Sequence, residues 1–471
     1  TGHLAALVEE MPLTESCSTN KIELTNLRKL VLWSKVHRIV KGEMDAFVKV
    51  LSYCHNLTEL VITANVLHHP PDMVDCFLEK IEQLPNLQRL VLHGSDVEIG
   101  VTHQLLQVCL RHPQLIDLQC NLIVSGFYNP IMPDNGLYDP RFAILLKSLQ
   151  DADKKKSEAG EPTGLRLKSL KLPHIPGGYP QDFLFPFLRS HVPHLEQFCI
   201  PFIHKDYDSQ DLRDAILEGC PRLQHITSDY FPNNGDARWG LSDIIRYCGP
   251  LGLKTFHAGC PYRIEGECQG VMQHLLDHHT ATLEDFEWRG CNHNNSINLH
   301  SILAKCGNLK RFSTSFGHGI TFEDAVSSAW VCHDITHLQL FLERRDNAHT
   351  CKTIHQLGKK VFAQIGALVK LEELSLGYFG SERVINDLTL EDGWLAELAR
   401  LKKMRHFRFL TDYRTSVGQA EVEFMVSNWP KLEKITLDIT DHRFMFGDVF
   451  GEPPWRWLKE KRPHIVLTLN K

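Results

Sequence analysis

The sequence predicts an α/β solenoid, in which parallel strands line a concave face and helices cover a convex face. The motif Leu-x-x-Leu-x-Leu recurs along the chain and is clearest at residues 87–92 (LQRLVL). All but one of the steps between successive copies are 26 to 36 residues long, and helical patterns lie between the copies. Such a unit buries its apolar face only when copies stack, so the pattern predicts a leucine-rich-repeat horseshoe.

The strands are predicted at 14 copies of the motif. Their first positions are Leu27, Leu57, Leu87, Leu115, Leu167, Leu195, Leu223, Leu253, Leu283, Leu309, Ile335, Leu371, Met404 and Leu432. The alternation of leucines within each copy is the period of a strand with one buried face. A doubly wound α/β domain is the alternative, but it needs Gly-rich phosphate loops after its strands, and the sequence has none.

The longest step, of 52 residues, runs from Leu115 to Leu167 and predicts a distorted repeat or an insertion near residues 129–164. Residues 151–164 (DADKKKSEAGEPTG) are polar and charged, which predicts a mobile surface loop.

Helices are predicted between the copies because apolar residues recur three and four positions apart, as at Met73, Phe77 and Ile81. The predicted helices are 43–54, 72–84, 101–110, 211–217, 241–247, 271–276, 353–365, 395–401 and 419–425. A short helix ending near Glu460 and a strand at 465–469 predict a C-terminal cap over 452–471. We expect the repeat domain at 21–471. Residues 1–20 are expected to be a linker or the remnant of an upstream region, in a chain that begins with Thr1 and not Met.

The composition limits the possible partners and the compartment. The chain has 471 residues, is 43% hydrophobic and has a formal net charge of -6, so it shows no basic balance that would favour nucleic acid or a membrane surface. No signal peptide and no apolar run of about 18 residues is visible. Its 14 cysteines form no Cys-x-x-Cys pair and mostly lie in apolar segments. We therefore expect reduced, buried cysteines and a cytoplasmic or nuclear protein.

Catalytic and metal-binding motifs are absent from the sequence. There is no Gly-x-Ser-x-Gly, no phosphate-binding loop and no kinase motif set, so no catalytic residue and no cofactor is predicted. His274 and His278 are four apart on a predicted helix, with His279 adjacent. No third ligand lies at an expected spacing, so these histidines are interpreted as structural and not as a metal site.

The candidate binding residues lie between the repeat leucines and in the loops that follow the strands. Side chains that alternate with the leucines should face the concave surface. The concave candidates are Trp33, Arg89, His93, Arg289, His337, Phe341 and Arg408, within a wider set that includes Asp285, Glu287, Arg311, Ser313, Gln339, Lys434 and Thr436. The rim candidates are Tyr207, Tyr230, Tyr262 and Tyr413. Mixed charges with Tyr and Arg suit a protein or peptide client. Alternatively, the single charges are solvated bystanders and the rim aromatics fill gaps between loops.

The sequence resembles the fungal F-box/leucine-rich-repeat proteins, which belong to the ribonuclease-inhibitor-like (RNI-like) superfamily, from about residue 24 to the end. The resemblance is carried by residues 54–57 (CHNL), 306–309 (CGNL), 392–398 (DGWLAEL), 404–409 (MRHFRF) and 428–430 (NWP). It implies that the repeats hold the substrate of a cullin-RING ubiquitin ligase, while an F-box docks on the ligase adaptor. Residues 1–30 show no convincing F-box.

The leading hypothesis is a non-catalytic protein-protein recognition scaffold, which is compatible with such a substrate receptor. A second hypothesis is a small-ligand sensor or an enzyme, with a pocket formed by the insertion around residues 129–140. A third is a structural role in assembly.

Overall fold

The computed structural model describes residues 27–33, 41–63, 71–97, 104, 106–108, 110, 112, 114–124, 140–158, 164–172, 181–200, 203–204, 208–228, 237–238, 241–249, 251–259, 265–289, 299–314, 319–343, 351–379, 389–390, 393–411, 417–439 and 453–470. The chain divides into two compact units. Unit 1 comprises residues 1–226 and 234–251, and unit 2 comprises residues 227–233 and 252–471.

Unit 1 contains a ladder of parallel strands that follow one another in chain order. The strands are β1 (Lys29–Trp33), β2 (Glu59–Thr63), β3 (Arg89–Val97), β4 (Asp117–Val124), β5 (Ser169–Lys171) and β6 (Gln197–Cys199). Next come β7 (Ile203–His204), β8 (His225–Ser228), of which residues 227–228 are assigned to unit 2, and β9 (Ala237–Arg238). Strands β7 and β9 form a short antiparallel pair that the repeat pattern does not predict.

The helices of unit 1 lie between its strands in the sequence. They are α1 (Lys41–Leu51), α2 (Pro71–Glu82), α3 (Pro140–Glu158), α4 (Gln181–His191), α5 (Ser209–Gly219) and α6 (Leu241–Tyr247). Each of the four predicted at 43–54, 72–84, 211–217 and 241–247 is present within a few residues of its predicted bounds. The described residues within 101–110 are also helical.

Unit 2 repeats the arrangement. Its strands are β10 (Thr255–Gly259), β11 (Asp285–Arg289), β12 (Arg311–Thr314), β13 (Ile320–Thr321), β14 (His337–Glu343), β15 (Glu373–Phe379), β16 (His406–Thr411), β17 (Lys434–Ile439) and β18 (Val466–Asn470). They pair in parallel in chain order, except that β12 and β13 both pair with β14. The predicted terminal strand is therefore present as β18.

The helices of unit 2 again alternate with its strands. They are α7 (Glu265–His278), α8 (Leu299–Lys305), α9 (Phe322–Val326), α10 (Cys351–Gly366), α11 (Trp394–Glu397), α12 (Gln419–Asn428) and α13 (Pro453–Lys461). A 3-10 turn, Leu398–Arg400, continues α11. Short helices α8 and α9 were not predicted.

The repeat leucines set the strand register. Leu60 pairs with Leu90, and Leu338 pairs with Leu374. These side chains are 2% exposed or less, whereas their neighbours along the strands are mostly partly or fully exposed. The core of each unit thus lies on the leucine side of its strands, and the predicted leucine-rich-repeat α/β fold is confirmed.

The long step between Leu115 and Leu167 is an insertion without a further ladder strand, since β4 pairs directly with β5. The prediction of a loop over 151–164 is wrong for residues 151–158, which form the end of α3. Leu145 and Leu149 are buried on this helix, and the Asp153 carboxylate lies 2.6 Å from Nδ1 of buried His191. Buried leucines and one hydrogen bond between Asp153 and His191 therefore hold a segment whose composition alone looks loop-like. Residues 159–163 lie outside the described residues.

Some polar side chains form hydrogen bonds between neighbouring repeats. The ring of His279 is 2% exposed, and its Nδ1 accepts a hydrogen bond from the Leu253 backbone N–H at 3.2 Å. The predicted structural role of this histidine follows from that contact. Exposed Asn308 donates from its side-chain amide to the Ala281 carbonyl at 2.6 Å. The Asn-Leu entries thus tie one repeat to the next.

The cysteines require one correction. Among the described residues, Cys54, Cys76, Cys120, Cys199, Cys220, Cys248, Cys306 and Cys332 are free, and all of these except Cys76 are buried. Cys268, however, is disulfide-bonded, which the expectation of reduced cysteines missed. Sequence spacing shows that a thiol lies in an apolar segment, but it does not show which two thiols the fold brings together.

In the described part of the chain, no helix has the length and apolarity needed to cross a bilayer.

Candidate protein-binding surface

The strand register of unit 2 aligns the residues between the leucines into two rows on the face opposite the core, here called the strand face. The first row is Asp285, Arg311, His337, Glu373, His406 and Lys434. The second row is His257, Glu287, Ser313, Gln339, Ser375, Arg408 and Thr436. Since successive side chains of a strand point to opposite faces, both rows project away from the leucines.

The two rows line a groove of about 360 Å³, here called the unit 2 groove. It crosses the strands from β10 to β17, which are seven neighbours in the ladder. At about 4.8 Å between strands, the groove is roughly 29 Å long. A groove this long and narrow fits an extended segment better than a compact molecule.

In the first row, carboxylates lie close to histidine and arginine side chains of neighbouring strands. The Glu373 carboxylate lies 3.0 Å from Nδ1 of His406 and 3.4 Å from Nε2 of His337. The Arg311 guanidinium lies 3.6 Å from the Asp285 carboxylate. These side chains are partly exposed, so each pair is expected to contribute only about 0–1 kcal/mol.

The second row changes in character along the groove. At the β10–β11 end, His257 lies 3.1 Å from Asp285 and 3.7 Å from Glu287. The middle is neutral, with Ser313, Gln339 and Ser375. The Ser375 hydroxyl is buried and makes no hydrogen bond. Arg408 then brings a positive charge at β16.

The strand face of unit 1 has a similar first row and a different second row. Glu59 lies 3.0 Å from Lys29 and 2.9 Å from Arg89, and Arg89 lies 2.9 Å from Asp117. The second row of β1 to β3 is aliphatic. It consists of Val31, Val61 and Val91, of which Val31 is 52% exposed and Val91 is 4% exposed.

The structure brings some of the predicted binding residues together and leaves others apart. His337 and Arg408 line the unit 2 groove, and Arg289 lies beside it with Nε 2.6 Å from the Glu287 carboxylate. Arg89 and His93 lie on unit 1. Burial and, secondarily, the nearby Lys171 lower the pKa of the His93 imidazole.

Phe341 requires a correction. It is 4% exposed, and a Cβ at Gly377 on the neighbouring strand would lie 2.4 Å from its ring. The Phe341 ring therefore fills the space that the glycine leaves, and we remove it from the candidate surface. Trp33 is on β1, but its side chain lies outside the described part of the chain, as do all four rim tyrosines, Tyr207, Tyr230, Tyr262 and Tyr413.

Sequence reasoning missed three residues of the groove: His257, Glu373 and Ser375. They occupy the positions between the repeat leucines in the copies that begin at Leu253 and Leu371. The register of the other copies was signal enough to find them.

The structure gives no support for a metal site or a small-ligand pocket within the described residues. Within the described residues, no group of three His, Cys, Asp or Glu side chains is placed to hold a metal ion. His274 and His278 stack with ring centroids 6.0 Å apart, as neighbours on one helix face do. Residues 129–139, which the small-ligand hypothesis needs, lie outside the described part of the chain.

The chain was compared with protein-family models, curated proteins and solved structures. No family model matches the sequence, and no curated protein is significantly similar to it. Several solved structures match this chain along most of its length. A chain from the crystal structure of the Rad7 and Elc1 complex in yeast is 13% identical, with 94% of this chain and 81% of that chain covered and a TM-score of 0.40. The leucine-rich repeat-containing protein LegL7 from Legionella pneumophila is 12% identical, with 88% and 90% covered and a TM-score of 0.30.

A chain from the TLR13–ssRNA13 complex is also 12% identical, with 95% of this chain and 65% of that chain covered and a TM-score of 0.31. At TM-scores of 0.30 to 0.40, these similarities assign no function to this chain.

Proposed function

We propose that this protein is a non-catalytic protein-protein recognition scaffold and that the unit 2 groove is its binding surface. One observation carries the proposal: the ladder aligns charged and neutral polar side chains from seven successive strands into one continuous groove. A segment of a partner protein lying across the strands would touch several of these side chains at once. Affinity would then come from many modest contacts on a rigid scaffold.

The balance of charge favours a protein over a polyanion. The groove is lined by Asp285, Glu287 and Glu373 as well as by Arg311, Arg408 and Lys434. Phosphates along a nucleic acid would meet the three carboxylates, whereas a protein segment can offer both signs of charge. The existing ion pairs are partly exposed and weak, so a partner's charges can replace them at small cost.

The contacts of the groove serines and histidines are compatible with the non-catalytic proposal. Among its described residues, neither the Ser313 nor the Ser375 hydroxyl is hydrogen-bonded to a histidine, which an activated serine requires. The histidines instead face carboxylates of the first and second rows.

The proposal is tested by capture of partners from a cell lysate with matched variants. Ser313→Arg places a long cation in the middle of the groove, and Ser301→Arg places the same side chain on helix α8 of the same unit. We expect the wild type and Ser301→Arg to enrich the same protein, and Ser313→Arg to lose it. If both variants retain the protein equally, or if no protein is enriched over beads alone, the groove is not the binding surface.

The finer proposal is that the scaffold is the substrate receptor of a cullin-RING ubiquitin ligase in the cytoplasm or nucleus. It is supported by the resemblance of residues 54–57 and 392–430 to F-box/leucine-rich-repeat proteins. The free buried cysteines also suit a reducing compartment, although disulfide-bonded Cys268 does not. In its native host, the full-length protein should co-purify with a ligase adaptor, and Ser313→Arg should lose the client but keep the adaptor. Absence of an adaptor from purifications that contain the client would remove this finer role.

A further inference from the structure

The side chains that line the two ends of the unit 2 groove carry opposite charges. At the β10–β11 end, its charged lining is the carboxylates Asp285 and Glu287, with His257 between them. At the β16–β17 end, its charged lining is the cations Arg408 and Lys434, with His406. In the middle, Arg311 and Glu373 oppose one another in sign.

We infer that the partner of this groove is an extended protein segment that carries one basic and one acidic side chain about six residues apart. The inference rests on the proposed function and specifies the chemistry of the partner. The basic side chain lies over Asp285 and Glu287, and the acidic side chain lies over Arg408 and Lys434. Small or neutral polar side chains occupy the middle, over Ser313, Gln339 and Ser375.

The spacing follows from the ladder. Glu287 on β11 and Arg408 on β16 are separated by four strand-to-strand steps, through β12, β14 and β15. Four steps of about 4.8 Å amount to roughly 19 Å, and an extended chain rises about 3.3 Å per residue. The two anchors are therefore about six residues apart. An even spacing also places both side chains on the same side of an extended segment.

The charged side chains at each end already have internal contacts, which a partner's charges would have to replace. At the acidic end, Arg289 Nε lies 2.6 Å from the Glu287 carboxylate, and its side chain is 66% exposed, so this pair is expected to be weak. At the other end, Glu433 accepts two hydrogen bonds from Arg405, at 3.0 and 2.9 Å, and lies 3.7 Å from Nε2 of His406. The charged side chains that line the groove at this end are Arg408 and Lys434.

A partner with one sign of charge fits this surface poorly. A polyanionic segment meets Asp285 and Glu287, and a polycationic segment meets Arg408 and Lys434. Like charges brought together across an interface reduce affinity, so the groove selects against both.

The test uses three pools of labelled synthetic peptides in fluorescence anisotropy with the full chain. Each pool has two fixed residues about six positions apart, which are Lys and Glu, Lys and Lys, or Glu and Glu, and all other positions are drawn from Ala, Ser, Thr and Val. We expect the wild type to bind the Lys-Glu pool at least about fivefold more tightly than the others. Arg408→Glu should shift the preference to the Lys-Lys pool, and Glu287→Arg should shift it to the Glu-Glu pool.

Matched controls place the same charge changes on exposed helix positions of unit 2. Lys360→Glu on α10 and Asp277→Arg on α7 should keep the wild-type preference. The inference is overturned if the wild type does not prefer the Lys-Glu pool, or if the controls shift the preference as much as the groove variants do. Should Ser313→Arg still abolish capture of a protein in that case, the groove would remain the binding surface and only the charge pattern would be lost.

Discussion

Units 1 and 2 share a first row of alternating charge on the strand face, but their second rows differ. In unit 1, Lys29, Glu59, Arg89 and Asp117 form a chain of ion pairs above a row of valines. In unit 2, a comparable first row lies beside polar and charged residues, and the two rows enclose the groove. The first row therefore belongs to the repeat itself, where opposite charges match neighbouring strands. The second row is where the two units differ most.

The largest effect is expected from removing a large core side chain of unit 2. Trp394 is fully buried, and its ring centroid lies 5.3 Å from that of Phe362 and 5.9 Å from that of Phe322. Its indole N–H also donates to the His355 carbonyl at 3.0 Å. Trp394→Ala should lower the free energy of unfolding of unit 2 by about 3–5 kcal/mol. Native-state hydrogen exchange of the β15 and β16 amides measures it, and unchanged protection there would contradict the packing.

A smaller substitution, on the helix that contacts Trp394, also tests this packing. In a helix, Gly→Ala normally gains about 1 kcal/mol. At Gly358 on α10, however, a Cβ would lie 1.9 Å from the Trp394 ring. Gly358→Ala should therefore destabilise unit 2, and the loss should shrink when Trp394→Leu is present in the same chain. A stabilising Gly358→Ala would show that the ring has room to move.

A binding comparison between the units comes next. Val61 in unit 1 and Ser313 in unit 2 both hold second-row positions, and both are partly exposed. Ser313→Arg should weaken binding of the captured partner at least about tenfold, which is about 1.4 kcal/mol, whereas Val61→Arg should change it little. Isothermal titration of the purified pair measures both. An equal loss from the two substitutions would remove the distinction between the units.

Acid should weaken unit 1 through a buried histidine. His112 is 5% exposed, its Nε2 lies 2.6 Å from the Leu84 carbonyl oxygen, and burial lowers its pKa despite that contact. A histidine has a pKa near 6.5 when unfolded. Because the folded pKa is lower, its contribution to stability is fully present above pH 6.5 and is lost progressively as the pH falls from 6.5 through the folded pKa.

The free energy of unfolding of unit 1 should consequently fall between pH 7 and pH 5, and His112→Gln should reduce that dependence. Glutamine retains an N–H donor for Leu84 but does not titrate in this range. Hydrogen exchange of the β3 and β4 amides, corrected for intrinsic rates, measures the dependence. A variant with the same pH dependence as the wild type would assign it to other groups, of which His93 is the first candidate.

The smallest effect is expected from the shared first row. The Arg89 side chain is 44% exposed and bridges Glu59 and Asp117. Arg89→Gln should cost about 1 kcal/mol or less, because exposed ion pairs contribute little. Exchange of the β2 and β3 amides measures it. A loss far above this value would mean that the first row stabilises the ladder strongly, which contradicts the small role assigned to its ion pairs.

The sequence predicted the repeat ladder well because each strand carries its own motif. The copies at Leu283, Leu309 and Ile335 align in register without reference to any distant residue. Features that depend on two distant positions were missed. Helix α3 is held by Asp153 against His191, and the burial of Phe341 depends on Gly377. Neither partner is visible from the local pattern.

The candidate surface was predictable to a similar extent and for the same reason. Residues such as His337 and Arg408 follow from their positions between repeat leucines. The polarity of the groove does not follow from any single copy. It emerges only when the register sets Asp285 and Glu287 at one end and Arg408 and Lys434 at the other.

Site-specific photocrosslinking tests the central claim most directly. A benzophenone amino acid replaces Gln339 in the unit 2 groove, Val61 on the strand face of unit 1, or exposed Gln356 on α10. We predict that the captured partner becomes cross-linked from position 339 and from neither of the other two. Cross-linking from 356 or 61 without 339 would contradict the assignment of recognition to the unit 2 groove.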